Sequence, residues 1–363
     1  MEYLAGIDIG GTKCAVTIGK IQDDQVELLW KEKFPTPKGP QAAVDKLVET
    51  LEHMLSAHPE VKLTAVGISC GGPLDSRKGL ILCPPNLPDW DGIDVVTPFE
   101  EAFHVPAAVQ NDANACALAE WFWGAGRGTR NMVFLTFGTG IGAGLILDGR
   151  LYSGTNDMAG EVGHVRLLED GPEGYGKRGS FEGFCSGGGI ARYGREKVAE
   201  WCGQGKETLI LKRGQSIEEV TTRDIGLAAQ EKDPLALSIL EYTGRMLGRG
   251  VAMLADILNP EVVVIGSIFL RQEEILRGPM EEVIAEEALA QTRQSCRVVP
   301  AGLGEQLGDY AALSVAGNLT IKEKRYEGKG SSFYTGENRK IYSGGYPPEP
   351  HQGGGGSGKL EVL

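Results

Sequence analysis

The sequence predicts an α/β protein built from two related halves that face each other across a cleft. Two observations carry that expectation. Ile7-Asp8-Ile9-Gly10-Gly11-Thr12 and Leu135-Thr136-Phe137-Gly138-Thr139-Gly140 share one layout: an apolar strand, a Gly/Thr turn and a second strand. The 53 glycines fall between apolar runs rather than in one tract, the tail apart, which fits many tight turns and close backbone approaches to a ligand. At 363 residues the chain is long enough for two domains.

Leu4 to Ile9 reads as a strand interrupted by Asp8. Gly10-Gly11-Thr12-Lys13 then turns into a second, β-rich run, Cys14 to Ile18, closed by Gly19. Such a turn aims backbone N–H groups at a phosphate, with Thr12 adding a hydroxyl and Lys13 a charge. An ordinary hairpin turn would look similar. Asp8 tips the balance, because a carboxylate in an apolar strand needs a reason, and a metal-bound nucleotide is one. Gln41 to Ala57 is an amphipathic helix, with Ala43, Val44, Leu47, Val48, Leu51 and Met54 on one face. Leu63 to Ser69 is a strand. Gly67-Ile68-Ser69-Cys70-Gly71 matches a hydrolase nucleophile elbow, but that motif must lead into a helix, and Gly71-Gly72-Pro73 turns instead. Gly72 therefore reads as a substrate wall at the end of a strand. Pro84 to Trp90 is too Pro-rich for a helix or central strand. Asn86 within it could bond a polar ligand or simply cap its loop.

Val105 to Val109 is apolar, and Asn111-Asp112-Ala113-Asn114-Ala115 opens a helical pattern. Asn111 and Asp112 are good helix caps. The sharper reading makes Asp112 a general base, since open α/β sheets hold ligands at the carboxyl ends of their strands. Met132 to Phe137 is a strand, Gly138 to Gly144 a Gly-rich loop, and Leu145 to Leu147 a strand ending at the hairpin turn Asp148-Gly149. Gly138-x-Gly140-x-x-Ala143 loosely fits a dinucleotide fingerprint, but that motif must open a helix. Two Gly/Thr hairpins in one chain instead suggest a duplicated domain with a nucleotide clamped between the copies. Glu161 and His164 are spaced to share a helix face, yet Gly160 and Gly163 favour a loop with both side chains turned into the cleft. Asp224 to Gln230 and Pro234 to Leu258 read as helices, and Glu261 to Ile265 as a strand ending at Gly266-Ser267. Gly308-Asp309 begins a last helix that should return to the first half.

The net charge of −13 argues against nonspecific binding to nucleic acid or to an anionic membrane. It leaves an anionic substrate open, because backbone N–H groups can hold phosphate. The longest uncharged run, Asn131 to Leu147, is short and Gly-studded for a bilayer span. No basic leader precedes the first strand, and seven irregularly spaced cysteines fit a reducing compartment, so a cytoplasmic protein is expected.

Taken in order, Gly6 to Lys13, Asn111 to Ala115, Phe137 to Gly142, Ala159-Gly160-Glu161-Val162-Gly163-His164 and Gly308-Asp309 resemble the ROK family of sugar kinases and repressors, within the actin-like ATPase fold. The resemblance runs from about Leu4 to about Gly317. It implies duplicated, ribonuclease H-like α/β domains. Residues 1–120 would form the first, completed by a helix near 305–321, and residues 121–304 the second. Residues 322–363 read as a disordered tail, Gly- and Pro-rich with the flexible tract Gly353 to Gly358.

The implied chemistry is phosphoryl transfer from ATP, with Mg2+, to a hexose hydroxyl. Asp112 would take the sugar's proton. Asn111, Glu161, His164 and Glu182, with Gly72 and Asn86, would line the sugar site. Gly10, Gly11, Thr12, Lys13, Gly138, Thr139 and Gly140 would hold the phosphates, Asp8 would act through the metal, and Gly266 would lie near the adenine. Glucose is the first expectation; N-acetylglucosamine, N-acetylmannosamine, fructose and allose are the alternatives, and a sugar-binding protein without catalysis is a further one. The resemblance also implies a homodimer. A repressor would need a DNA-binding segment ahead of the phosphate loop, which starts near residue 8 here. Many members carry C-x-C-G-x-x-G-C-x-E after the histidine and bind structural zinc. Here Glu173, Tyr175 and Ser180 stand at the three cysteine positions, so no zinc is expected, and packing and hydrogen bonds should hold this loop.

Overall fold

The computed structural model describes residues 2–23, 25–212 and 215–327, with side chains described as far as residue 320. Residues up to Glu323 belong to one compact unit. Its first part contains strands β1 (Glu2–Ile9), β2 (Lys13–Gln22) and β3 (Gln25–Pro35), helix α1 (Pro40–Ala57) and strand β4 (Leu63–Cys70). A small meander follows, β5 (Leu74–Asp75), β6 (Leu80–Leu82) and β7 (Asp91–Asp94), then α2 (Thr97–Phe103), β8 (Ala107–Asn111) and α3 (Asp112–Trp123). The second part holds β9 (Met132–Phe137), β10 (Ile141–Leu147), β11 (Arg150–Leu151), the short pair β12 (Glu173–Gly174) and β13 (Lys177–Arg178), and α4 (Phe181–Cys185). It continues through α5 (Gly187–Gly203), α6 (Thr222–Gln230), α7 (Pro234–Leu258), β14 (Val262–Ile265), α8 (Ile268–Glu287), α9 (Ala290–Ser295) and β15 (Arg297–Pro300). Helix α10 (Leu307–Glu327) closes the described chain.

The expected duplication is visible in the sheets. One has strand order β3-β2-β1-β4-β8 and the other β11-β10-β9-β14-β15. In each, an antiparallel hairpin is joined to parallel strands. Alternation along the strands gives each sheet two apolar faces. Ile7, Ile9, Val16 and Ile18 pack with α1. Val133, Leu135, Val263 and Ile265 pack with α5 to α8. Their alternates Met132, Phe134, Val262 and Val264 pack with Ala115 and Leu118 of α3 and with Ala311 and Val315 of α10. Helices α3 and α10 touch directly, through Ser314 Oγ donating to the Ala115 carbonyl at 2.8 Å. Helix α10 also reaches the first sheet, where Leu313 and Ala316 pack with Leu4 and Ala65.

Three local expectations are corrected. The second strand does not end at Gly19 but runs to Gln22 and pairs with β3, an edge strand whose mixed charged and apolar residues gave no apolar run to read. Gly19 sits under α10: a Cβ there would lie 2.7 Å from Leu313 Cδ1. The second Gly-rich turn is shorter than expected, because β10 already begins at Ile141. Gly144 belongs to that strand since α3 crosses it, the Ala113 carbonyl lying 2.4 Å from where a Cβ would be. The last helix continues to Glu327, past the expected start of the tail at 322, and the rest of that tail lies outside the described residues. Among the described residues no helix is long and apolar enough to cross a membrane.

Candidate active site

Asp112 stands where a strand becomes a helix, as the sequence suggested, and the structure separates the two roles considered for this pair. Asn111 ends β8 and caps α3, its Oδ1 accepting from the Asn114 backbone N–H at 2.8 Å. Asp112 is the first residue of α3, and its carboxylate accepts one hydrogen bond, from Ser69 Oγ at 3.2 Å. The cap therefore occupies Asn111 and leaves Asp112 open to the cleft. Burial among the strand ends holds the Asp112 carboxyl above the ordinary carboxylate range, and the Ser69 hydroxyl opposes that shift.

Strand register brings Asp8 to the same place. Asp8 pairs with Ser69 across β1 and β4, so Ser69 lies between the two carboxylates. Asp8 is pushed up to about 6, first by burial and then by the negative charge of Asp112, while Lys31 and Lys33 pull the other way. Lys31 is itself pulled down to about 8, mainly by burial, and it is ion-paired with Asp309. The edge strand missed in the sequence thus supplies two cations beside Asp8, and Asp309 ties that strand to α10.

The first Gly/Thr turn is a closed hairpin. Gly10 N–H donates to the Lys13 carbonyl at 3.1 Å, and Thr36 ties the turn to β3 through Gly10 and Thr12. Asn86 lies against it: a Cβ on Gly11 would sit 2.3 Å from the Asn86 carbonyl oxygen. Asp8, Gly10, Gly11, Thr12, Lys13 and Asn86 are gathered at this edge of the cleft but do not line either cavity described next.

The first cavity, of about 700 Å³, brings together Gly72, Asn111, Asp112, Glu161, His164 and Glu182. Glu161 precedes the short 3-10 turn Val162–His164 and His164 ends it, and both line the cavity. Burial and then Glu182 raise the Glu161 carboxyl, and His164 opposes the rise. Glu182, on α4, accepts from the Ile141 N–H at 3.3 Å, which joins this wall of the cavity to the strand that follows the second Gly/Thr turn. Asp157 escaped the sequence reading. It is buried, lines this cavity, and accepts from Ser76 N–H and Oγ at 2.8 Å each, tying its loop to the small meander.

A second cavity, of about 1030 Å³, shares Gly138 and Thr139 with the first. Arg195, Thr222, Arg223 and Gln272 line it, and the sequence flagged none of them. Gly266 itself is turned inward, its N–H on the Leu135 carbonyl at 3.0 Å, and it does not line this cavity; Ser267, at φ 50°, does.

The segment after His164 is held by hydrogen bonds and packing. Ser180 caps α4 through the Gly183 N–H at 3.1 Å, Leu167 N–H bonds the Gly179 carbonyl at 2.8 Å, and Phe181 N–H bonds the Val165 carbonyl at 2.8 Å. Among the described residues no group of three or more His, Cys, Asp or Glu side chains is placed to hold a metal. A magnesium ion that arrives with nucleotide phosphates asks less, since one or two carboxylates suffice, and Asp8 fits that need.

The family model described as the ROK family matches residues 4–318. The chain belongs to the ROK family. It is 33% identical over 317 residues to a glucokinase from Halalkalibacterium halodurans, covering 85% of this chain and 92% of that one. A solved ROK family glucokinase from Streptomyces griseus, in complex with glucose and AMPPNP, is 29% identical, with a TM-score of 0.68 over 86% of this chain and 99% of its own. A solved ROK family transcriptional regulator, a homologue of the E. coli MLC protein, is 25% identical, with a TM-score of 0.76 over 87% of this chain and 78% of its own. The two sheets and the helices between them are the actin-like ATPase fold.

Proposed function

We propose that this protein is an ATP-dependent hexose kinase in which Asp112 is the general base. The observation that carries the reading is the junction of the two cavities. Asp112 opens into the first, and Gly138 and Thr139 belong to both. A sugar in the first cavity and a nucleotide in the second would meet at that turn. Asp112 takes the proton of the attacking hydroxyl, whose oxygen bonds the γ-phosphorus as the bond to the ADP oxygen breaks. A carboxylate held above its ordinary range is a better base than a fully exposed one. Asn111, Glu161, His164 and Glu182 orient the sugar, and the backbone N–H groups of the two Gly/Thr turns receive the phosphates. Magnesium, held by Asp8 and the phosphates, would neutralise charge on the transferred group.

Glucose is the proposed substrate, supported by the glucokinase relative and by the neighbour holding glucose and AMPPNP. N-acetylglucosamine, N-acetylmannosamine, fructose and allose are the alternatives to be measured beside it. In this reading residues 1–120 with α10 and residues 121–304 close on the sugar. A homodimer in the cytoplasm is part of the same proposal and rests on the family resemblance. A sugar-responsive regulator is the second reading, favoured by the high structural likeness to the regulator.

The test is ADP release with magnesium-ATP against the five sugars, for wild type and Asp112→Asn. We expect turnover on one sugar and a loss of about a hundredfold or more in the variant, with sugar binding largely kept. Turnover that survives the substitution would remove Asp112 as the base. Sugar binding without turnover in the wild type would favour the regulator or a non-catalytic binding protein.

A further inference from the structure

Tyr175 is the most exposed of the described large hydrophobic side chains, at 78%, and it still lines the cavity that contains Asp112. It occupies the first position of the two-residue turn Tyr175-Gly176 between β12 and β13, where Gly174 pairs with Lys177. Both turn residues have positive φ, 46° for Tyr175 and 74° for Gly176, the pattern of a type I′ turn. That turn favours Asn-Gly or Asp-Gly, and a bulky aromatic residue in its first position carries backbone strain. Strain of this kind at a ligand cavity points to a role for the side chain.

The hairpin that carries the ring is held in place. Lys177 Nζ donates to the His164 carbonyl at 2.8 Å, fastening the hairpin to the 3-10 turn. The Tyr175 ring stands nearly perpendicular to the His164 ring, at 80° with centroids 6.3 Å apart. Asn111, Asp112, Glu161 and Glu182 can orient hydroxyls, and the apolar lining from Pro73, Leu74, Ile141 and Met158 is aliphatic; Tyr175 and His164 bring the aromatic rings among the lining residues. An aromatic ring with a polar tip offers a flat face to a sugar's C–H bonds.

We propose that Tyr175 is a specificity-determining residue, the platform on which the C–H face of the sugar packs, with His164 as the adjoining wall. This rests on the sugar-kinase reading. The test compares Tyr175→Asn, which restores the favoured Asn-Gly turn, with Tyr175→Phe, which keeps the ring. Steady-state kinetics would use the best sugar of the panel and magnesium-ATP, beside a thermal unfolding scan. Tyr175→Asn should raise the sugar KM about tenfold or more, the scale of one well-placed aromatic contact, with kcat and the ATP KM within about twofold. Its unfolding midpoint should be equal or higher, and Tyr175→Phe should stay within about threefold of wild type. An unchanged sugar KM in Tyr175→Asn overturns the proposal, as does a loss shared equally by the ATP KM and the unfolding midpoint. A wild type that binds sugar without turnover counts against the kinase reading alone. Calorimetry with that sugar should then show the same weakening in Tyr175→Asn, and equal affinities overturn the platform. A wild type that neither binds nor phosphorylates any of the five sugars overturns both.

Discussion

Replacing Asp8 by Asn should stabilise the protein, and the gain should grow as pH rises. In the folded protein Asp8 is pushed up to about 6 from 3.8, chiefly by burial and then by Asp112. A carboxyl whose folded pKa lies above its unfolded value binds more protons when folded, so stability falls as pH rises between the two values. Asp8 thus costs nothing below about 4, and its full cost is present above about 6. Two units would correspond to about 3 kcal/mol. Asp8 is open to solvent at the cleft, so screening reduces the expected figure to about 1 kcal/mol. Most of that should develop between about pH 4 and about pH 6. The assay is urea unfolding of wild type and Asp8→Asn across that range, without nucleotide or magnesium. The stability of the variant minus that of wild type should rise through the window and level off above it. Parallel curves would refute the reasoning. In an Asp112→Asn background the rise should shrink, because the second cause of the shift is gone.

Three further outcomes follow from the same geometry. Ser69→Ala removes the one hydrogen bond that lowers the Asp112 carboxyl, so the acid limb of the pH profile of kcat/KM should move to higher pH, and an unmoved limb would show that Asp112 does not set it. Glu120 is fully buried and accepts from the N–H groups of Ala125, Gly302 and Leu303 at 2.8–3.0 Å; Glu120→Ala should cost about 3 kcal/mol or more in urea unfolding, and a cost under about 1 kcal/mol would deny it that anchoring role. Gly144→Ala would place a Cβ 2.4 Å from both the Ala113 carbonyl and the Ala117 Cβ, so it should destabilise by about 1–3 kcal/mol and lower activity by shifting the first turn of α3, whereas wild-type stability would mean that α3 can retreat freely.

The duplication was legible because each Gly/Thr turn lies between two apolar strands, and only a hairpin fits so short a repeat. Helix α7 was legible to the residue, with Asp233 and Pro234 at its start and Asn259 in the left-handed conformation at its end. Strand β3 was hidden by its own place at the sheet edge, where exposed charged positions interrupt the apolar ones. With it went Lys31 and Lys33, the cations beside Asp8. The arginines of the second cavity were hidden for a different reason: Arg195, Arg223 and Arg271 come from surface positions on α5, α6 and α8, and only the packing of those helices brings them to one cavity.

Residues read from motifs and residues supplied by topology also do different work. Asp112, Glu161 and His164 are marked in the sequence because a strand end or a Gly-bounded turn must present them, and local structure suffices for that. The tension between the carboxylates is not local. Asp8 and Asp112 are 104 positions apart and meet because Ser69, on the strand between, pairs with one and donates to the other. The raised Asp8 carboxyl thus depends in part on the order of three strands, which sets Asp112 beside it. Any change that slips β4 against β1 by one residue would turn Ser69 to the opposite face and disconnect the pair, even with every motif residue retained.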